Sequence, residues 1–414
     1  MPSSLITAIL GFLTSLSLEP ETNPYQAAAT YLQDKIQRPN VPLWSQWALR
    51  SLLLAFVIMF YQAGSLLYLR IKTTSFNIFS FNSSGMIKID YLNVGALGYF
   101  VYSILIIVNL IFEEVILAGY HDQSLRIFIF GTKFLIRISY SWAFVWVWAC
   151  HAVRLRWKAP VASTSNPGGT KDSYITWLLH AWFTLMVIWP IAPVFWAFIK
   201  ATLEFIEIKR TAAPVIASLL RSASSYSPKT YDQSHLLSIV IRLHSAKLHL
   251  ETLCHCIWVA TVCYLVTMLT MTVTYAPLLF ISLKGLVRRG VIARRDPELS
   301  ESLTAQVKST WQLHLEEESR RHRANVVGHA LIAYLEVIAQ FPFTIWMLTY
   351  KDGPFVLEPT WWIITVLGLH GPYALIGNIS LFVLTLRTKK RKAQFNQIGD
   401  RELREFPKKK EGVV

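Results

Sequence analysis

Seven long apolar runs set the rhythm of this chain, at roughly 47–69, 94–117, 127–152, 174–199, 254–283, 325–349 and 361–386. A helix of about 20 apolar residues spans about 30 Å of hydrocarbon, and each run reaches that length. The pattern predicts an all-α, polytopic membrane protein with seven transmembrane helices. Helical signals also run past the fifth and sixth spans. Apolar positions from Leu236 to Leu253 lead straight into run five, and Asp296-Pro297-Glu298 has the form of a helix start leading through Glu316-Glu317-Glu318 into run six. The spans divide the chain into an outer N-terminal segment at 1–46, a seven-helix domain at 47–386 and a basic tail at 387–414. Four prolines frame a predicted helix at 25–36. Residues 1–18 are apolar but too short to span, and read either as a cleaved signal peptide or as an interfacial amphipathic helix.

Composition agrees with this picture. The 414 residues are 53% hydrophobic and 16% charged, where a soluble domain carries about 25% charge. A net charge of +15 would suggest nucleic acid in a soluble protein. Here the basic residues flank apolar runs, so no nucleic-acid partner is expected. Their distribution is lopsided: the gap 284–323 and the tail 387–410 together hold 19 Lys and Arg. The positive-inside rule therefore puts the gaps after runs one, three and five, and the tail, in the cytoplasm (side B). The N-terminus and remaining gaps lie outside (side A), in the plasma membrane or an endomembrane. A sequon at Asn82 opposes this, since it falls on side B. The gap at 159–170 reads as a flexible loop, and the tail beyond about 395 as unstructured.

Polar residues inside apolar runs are costly, so they face the bundle interior and find partners. Glu336 in run six and His370 in run seven fall at similar depth, which predicts a pair. Gln340, Gln62 and Asn378 are further candidates for a ligand or ion site around them. A second group, Glu113 and Glu114 at the end of run two with Lys133 and Arg137 at the start of run three, predicts a charged outer cluster bridging two helices. His249, Cys254, His255 and Cys256 are metal-capable types, but they splay around a helix and make a poor tetrahedral set. Prolines 190, 193, 277, 342 and 372 lie within the runs. With Gly368, Gly371 and Gly377 beside Pro372, run seven is the span expected to be broken or hinged.

No Gly-rich phosphate loop, metalloprotease helix or nucleophile elbow occurs, so no catalytic residue, metal or cofactor is assigned. The layout is similar in topology alone to that of G-protein-coupled receptors. Run three ends Cys150-His151-Ala152-Val153-Arg154 and run seven holds Gly371-Pro372-Tyr373-Ala374-Leu375, neither being the signature of that family, so none is claimed. The leading reading is a receptor-like bundle with an outward-facing pocket and a basic cytoplasmic face. A transporter or channel using Glu336 and His370 is the alternative, although no inverted repeat is visible. A membrane-embedded enzyme or lipid-handling scaffold completes the set. Expected partners are the bilayer, anionic lipid headgroups at Arg387–Lys392, and a cytoplasmic protein at 284–323.

Overall fold

The computed structural model describes residues 23–36, 41–73, 76–81, 87–119, 124–157, 170–228, 232–292, 328, 331–332, 334–349 and 359–405. Its helices are α1 (Pro24–Ile36), α2 (Leu43–Thr73), α3 (Tyr91–Leu117), α4 (Ser124–Trp157), α5 (Thr170–Ile188), α6 (Ile191–Ser224), α7 (Gln233–Val240), α8 (His244–Ile292), α9 (Phe341–Thr349) and α10 (Pro359–Glu405). Residues 334–338 are also helical. A two-stranded antiparallel hairpin, β1 (Phe79–Phe81) and β2 (Ile87–Ile89), adds a small β element the all-α expectation lacked. Residues 1–18, Asn82, most of the 159–170 loop and 293–327 lie outside the described residues.

Among the described residues, five stretches are long and apolar enough to cross a bilayer: Leu43–Lys72, Leu92–Leu117, Thr176–Ser224, Ser234–Ile281 and Thr360–Lys389. The protein is thus a helical, multi-pass membrane protein. The third run does not meet that test: it forms α4, whose first half carries Arg126, Lys133 and Arg137. Of the sixth, the described stretch 334–349 is interrupted by a turn at Ala339–Gln340.

α2 and α3 pack antiparallel. At one end of α2, Arg50 reaches Glu114 at the end of α3, at 3.1 Å. At its other end, Arg70 bonds Asp90 and Asn93 at the start of α3, at 2.8 and 2.7 Å. Asp90 also caps α3, accepting from the backbone N–H groups of Leu92 and Asn93. The hairpin fills the side-B end: Trp146 of α4 donates to the Ile87 carbonyl at 2.8 Å, and the Ile87 N–H donates to His180 of α5 at 3.2 Å.

Two helices outrun the membrane. At 1.5 Å per residue, the 34 residues of α6 extend about 51 Å and the 49 of α8 about 74 Å. They pack along each other, and α1 lies against α6 at its far end. There Asn23 donates to the Ala223 carbonyl at 2.9 Å and Tyr25 to the Asp232 carbonyl at 3.3 Å. Asp232 caps α7 through Ser234, whose hydroxyl and N–H hold the Asp232 carboxyl below the usual carboxylate range. The expected helix leading into span five is present as α7, a single 3-10 turn at Ile241–Leu243, and α8.

Two expectations about the last spans are corrected. Run seven is not broken: α10 continues through Pro372 to Glu405, well past the expected end of order near 395. Two of its glycines, Gly368 and Gly377, serve close packing. A Cβ on Gly368 would lie 2.0 Å from the Phe343 ring, and one on Gly377 would lie 2.7 Å from the Met59 sulfur. The break falls in run six instead, where Pro342 supplies no N–H and displaces the preceding turn.

Candidate functional site

The break in the sixth run creates the polar centre of the bundle. The Gln340 N–H turns to the Val337 carbonyl at 3.3 Å, which leaves the Glu336 carbonyl without its helical donor. Side chains take over that role: Gln340 Nε2 donates to it at 3.0 Å and Arg137 Nη2 at 3.3 Å. Arg137 also donates through Nη1 to the Leu369 carbonyl of α10, at 3.4 Å, close to Pro372. One buried guanidinium from α4 thus ties the broken sixth segment to α10. Its plane lies over the Tyr373 ring, 4.2 Å from the centroid, where cation–π attraction adds to the hydrogen bonds.

Tyrosines surround this pin. The Tyr99 hydroxyl of α3 donates to the Glu336 carboxyl group, and Tyr264 of α8 donates to the Gln340 side-chain carbonyl. Tyr102 pairs with His370 Nδ1 at 2.8 Å. The Tyr99 ring lies tilted against both Tyr140 and Tyr373, each with its centroid 5.6 Å away. Glu336 and His370 are both buried here. The expected direct pairing between them is corrected: each bonds a different tyrosine of α3. Gln340 joins the centre. Gln62 and Asn378 do not bond to it. Asn378 donates to the Ala55 and Ala374 carbonyls at 3.0 and 2.8 Å, and Gln62 Oε1 is buried with no hydrogen-bond partner among the described residues.

The outer charged cluster also divides differently from the expectation. Glu113 pairs with Arg126, 2.8 Å apart and almost fully buried, and accepts from Trp362 Nε1 at 2.9 Å. Glu114 goes to Arg50 of α2. Lys133 donates to Asn109 Oδ1 at 3.0 Å beneath the Phe130 ring, and Arg137 belongs to the deeper centre. The reason is register: Lys133 and Arg137 lie about two and three helical turns along α4 beyond Arg126, which sits next to Glu113. Farther along α8, His249 pairs with Glu204 at 2.6 Å, and Lys200 reaches the same carboxylate at 2.6 Å. Among the described residues no group of three His, Cys, Asp or Glu is placed to hold a metal.

Two crevices flank the break on opposite halves of the bundle. The side-A crevice, narrow and with room for about one water, lies among Phe130, Phe134, Phe198, Tyr264, Thr344 and Leu369. The side-B crevice, equally narrow, lies among Tyr140, Phe144, Met271, Tyr275, Tyr334 and Glu336. The Tyr264–Gln340 bond and the Arg137 pin occupy the layer between them. Above His370 on side A, the buried rings of Phe130 and Trp362 and the Glu113–Arg126 pair fill the axis of the bundle.

The tyrosines and Arg126 were missed as site residues in the sequence. Their signal was faint: Tyr99 and Tyr102 sit mid-run at i,i+3, and a phenol in hydrocarbon needs a partner. The helices and their apolar faces define the class, an integral membrane protein of several helical spans. No family model, curated protein or solved structure matches the chain, so its function is argued from its own geometry.

Proposed function

We propose that the chain is a receptor-like bundle of seven spans whose sixth span, broken at Ala339–Gln340, is the switching element. The supporting observation is the break itself, with the freed Glu336 carbonyl held by the Gln340 side chain and by Arg137 of α4 rather than by a backbone N–H. Side-chain bonds at 3.3–3.4 Å can be exchanged at small cost, whereas a continuous helical ladder cannot. A ligand would enter between helices from the bilayer, since aromatic rings and an ion pair fill the side-A axis; this replaces the outward-facing pocket. The unbroken run of α8 from the α1–α6–α7 crown to Ile292 supplies a rod leading to the basic 284–323 segment on side B.

A carrier is the second reading, favoured by the crevices lying on opposite halves of a discontinuous span. Proton flux into liposomes that depends on Glu336 would favour it.

The switch is tested by ¹⁹F NMR with a trifluoromethyl probe on Ile345→Cys, a lipid-facing position of α9. Two resonances in slow exchange are expected, with their ratio changed by Tyr264→Phe, which removes the bond to Gln340. One resonance, unmoved by that substitution, would defeat the proposal.

A further inference from the structure

Glu336 is buried at the centre of the bundle, and its carboxyl group is held by a phenol rather than by a cation. Tyr99 donates to it, and the Tyr140 hydroxyl is itself hydrogen-bonded to Tyr99. Arg137 lies within electrostatic range of the same carboxyl group, yet its donors go elsewhere: Nη2 to the Glu336 carbonyl and Nη1 to the Leu369 carbonyl. Among the described residues no basic side chain bonds to the carboxyl group. A carboxylate in hydrocarbon without a bonded cation carries a large desolvation cost, whereas a neutral acid needs only hydrogen bonds. The bonding around Glu336 is that of the neutral acid, beside a guanidinium committed to two carbonyls.

The groups around Glu336 divide by chemistry. Phenols come from every element packed here: Tyr99 and Tyr102 of α3, Tyr140 of α4, Tyr264 and Tyr275 of α8, Tyr373 of α10 and Tyr334 of its own segment. A phenol ordinarily keeps its proton to about pH 10, and a guanidinium its charge beyond about pH 12. His370 of α10 bonds Tyr102, and Lys133 of α4 bonds Asn109. The side-B crevice reaches Glu336 and has room for about one water, too little for an organic ligand and enough to carry a proton. Losing that proton breaks one O–H bond and hands the proton to water. The carboxylate left behind is a stronger acceptor for a guanidinium than a neutral carbonyl. Resting on the receptor reading above, we propose that one proton on Glu336 sets the switch: while it is bound Arg137 pins the Glu336 and Leu369 carbonyls, and when it leaves Arg137 turns to the carboxylate and unties the sixth segment from α10.

The test titrates the full-length protein in lipid nanodiscs, with the ¹⁹F probe on Ile345→Cys, from about pH 5 to about pH 9. The ratio of the two resonances should move by at least about threefold, and by no more than tenfold per pH unit, as one proton requires. Low pH should favour the resonance that Arg137→Met depletes. Glu336→Gln, which keeps an acceptor for Tyr99 and cannot ionise, should hold the ratio at its low-pH value throughout. His370→Asn should leave the response in place. Infrared difference spectra of protein carrying ¹³C-labelled glutamate read the proton itself: the C=O stretch of a protonated carboxyl group should fade as pH rises and be absent in Glu336→Gln. Tyr99→Phe assigns the same band independently, by moving it to higher frequency. Two resonances whose ratio ignores pH would reject the proton and keep the switch. A response lost in His370→Asn and retained in Glu336→Gln would also overturn the proposal. A single resonance at every pH would reject the switch and this control with it.

Discussion

Glu113→Gln gives the sharpest test of how the outer charges pair. Glu113 and Arg126 are 2.8 Å apart, each side chain is 2% exposed, and the guanidinium lies 4.5 Å from the Trp362 ring centroid. Removing one charge strands the other in a site without water. Breaking a buried pair from one side costs about 3–5 kcal/mol. The Trp362 ring offsets part of this by cation–π attraction, worth about 1–2 kcal/mol. Gln keeps an acceptor for Trp362, so the expected loss is about 2–3 kcal/mol. The double variant Glu113→Gln/Arg126→Met removes both charges and should be more stable than the sum of the singles, with a coupling of about 2 kcal/mol. Lys133→Met should show much weaker coupling to Glu113→Gln, because Lys133 bonds Asn109. Unfolding by SDS in bicelles, followed by tryptophan fluorescence, measures all of these. A Glu113–Arg126 coupling below about 0.5 kcal/mol, or a stronger coupling to Lys133, would refute this pairing.

Other predictions follow from the same contacts. Gly368→Ala should destabilise the packing of α9 on α10 by about 1–3 kcal/mol, because the added Cβ would meet the Phe343 ring at 2.0 Å; a thermal shift equal to that of Gly371→Ala, where nothing lies within 4 Å, would contradict it. Trp146→Phe removes the donor to the Ile87 carbonyl and should loosen the β1–β2 hairpin, read as faster proteolysis between Phe79 and Ile89 with the spans intact. The Asp232 carboxyl is held low in the fold, so its cap on α7 is complete above the ordinary carboxylate range and is lost only as pH falls through the lowered value. Hydrogen exchange at Ser234 and His235, corrected for intrinsic rate, should therefore be flat between about pH 5 and pH 8.

Much of the fold was legible because apolar length and helix punctuation are local properties. The α2, α3 and α10 spans, the helix at 25–36 and the approach to span five could all be read from runs and prolines. Partner choice was not legible. Counting residues along a run does not say which face a helix turns, and Glu336 and His370 both turned to tyrosines of α3. Arg126 looked like a loop cation, since the apolar run begins just after it; only the α3–α4 turn brings it to Glu113. The location of the break was misjudged for a related reason. Pro372 and its glycines favour a kink, yet α10 packs tightly through Gly368 and Gly377 and stays continuous. Pro342, with Gln340 at hand to cap the freed carbonyl, breaks the other span.

The central claim is that the sixth span moves at its break under the control of the polar centre. It is tested most directly by pulsed electron spin resonance between labels at Leu331, before the break, and Tyr61 of α2, both lipid-facing. The four native cysteines would first be replaced. The account predicts two distance populations in nanodiscs, with the balance moved toward one of them by Arg137→Met, which removes the pin on the Glu336 and Leu369 carbonyls. A single distance distribution, unchanged by Arg137→Met in a protein that remains folded, would contradict it.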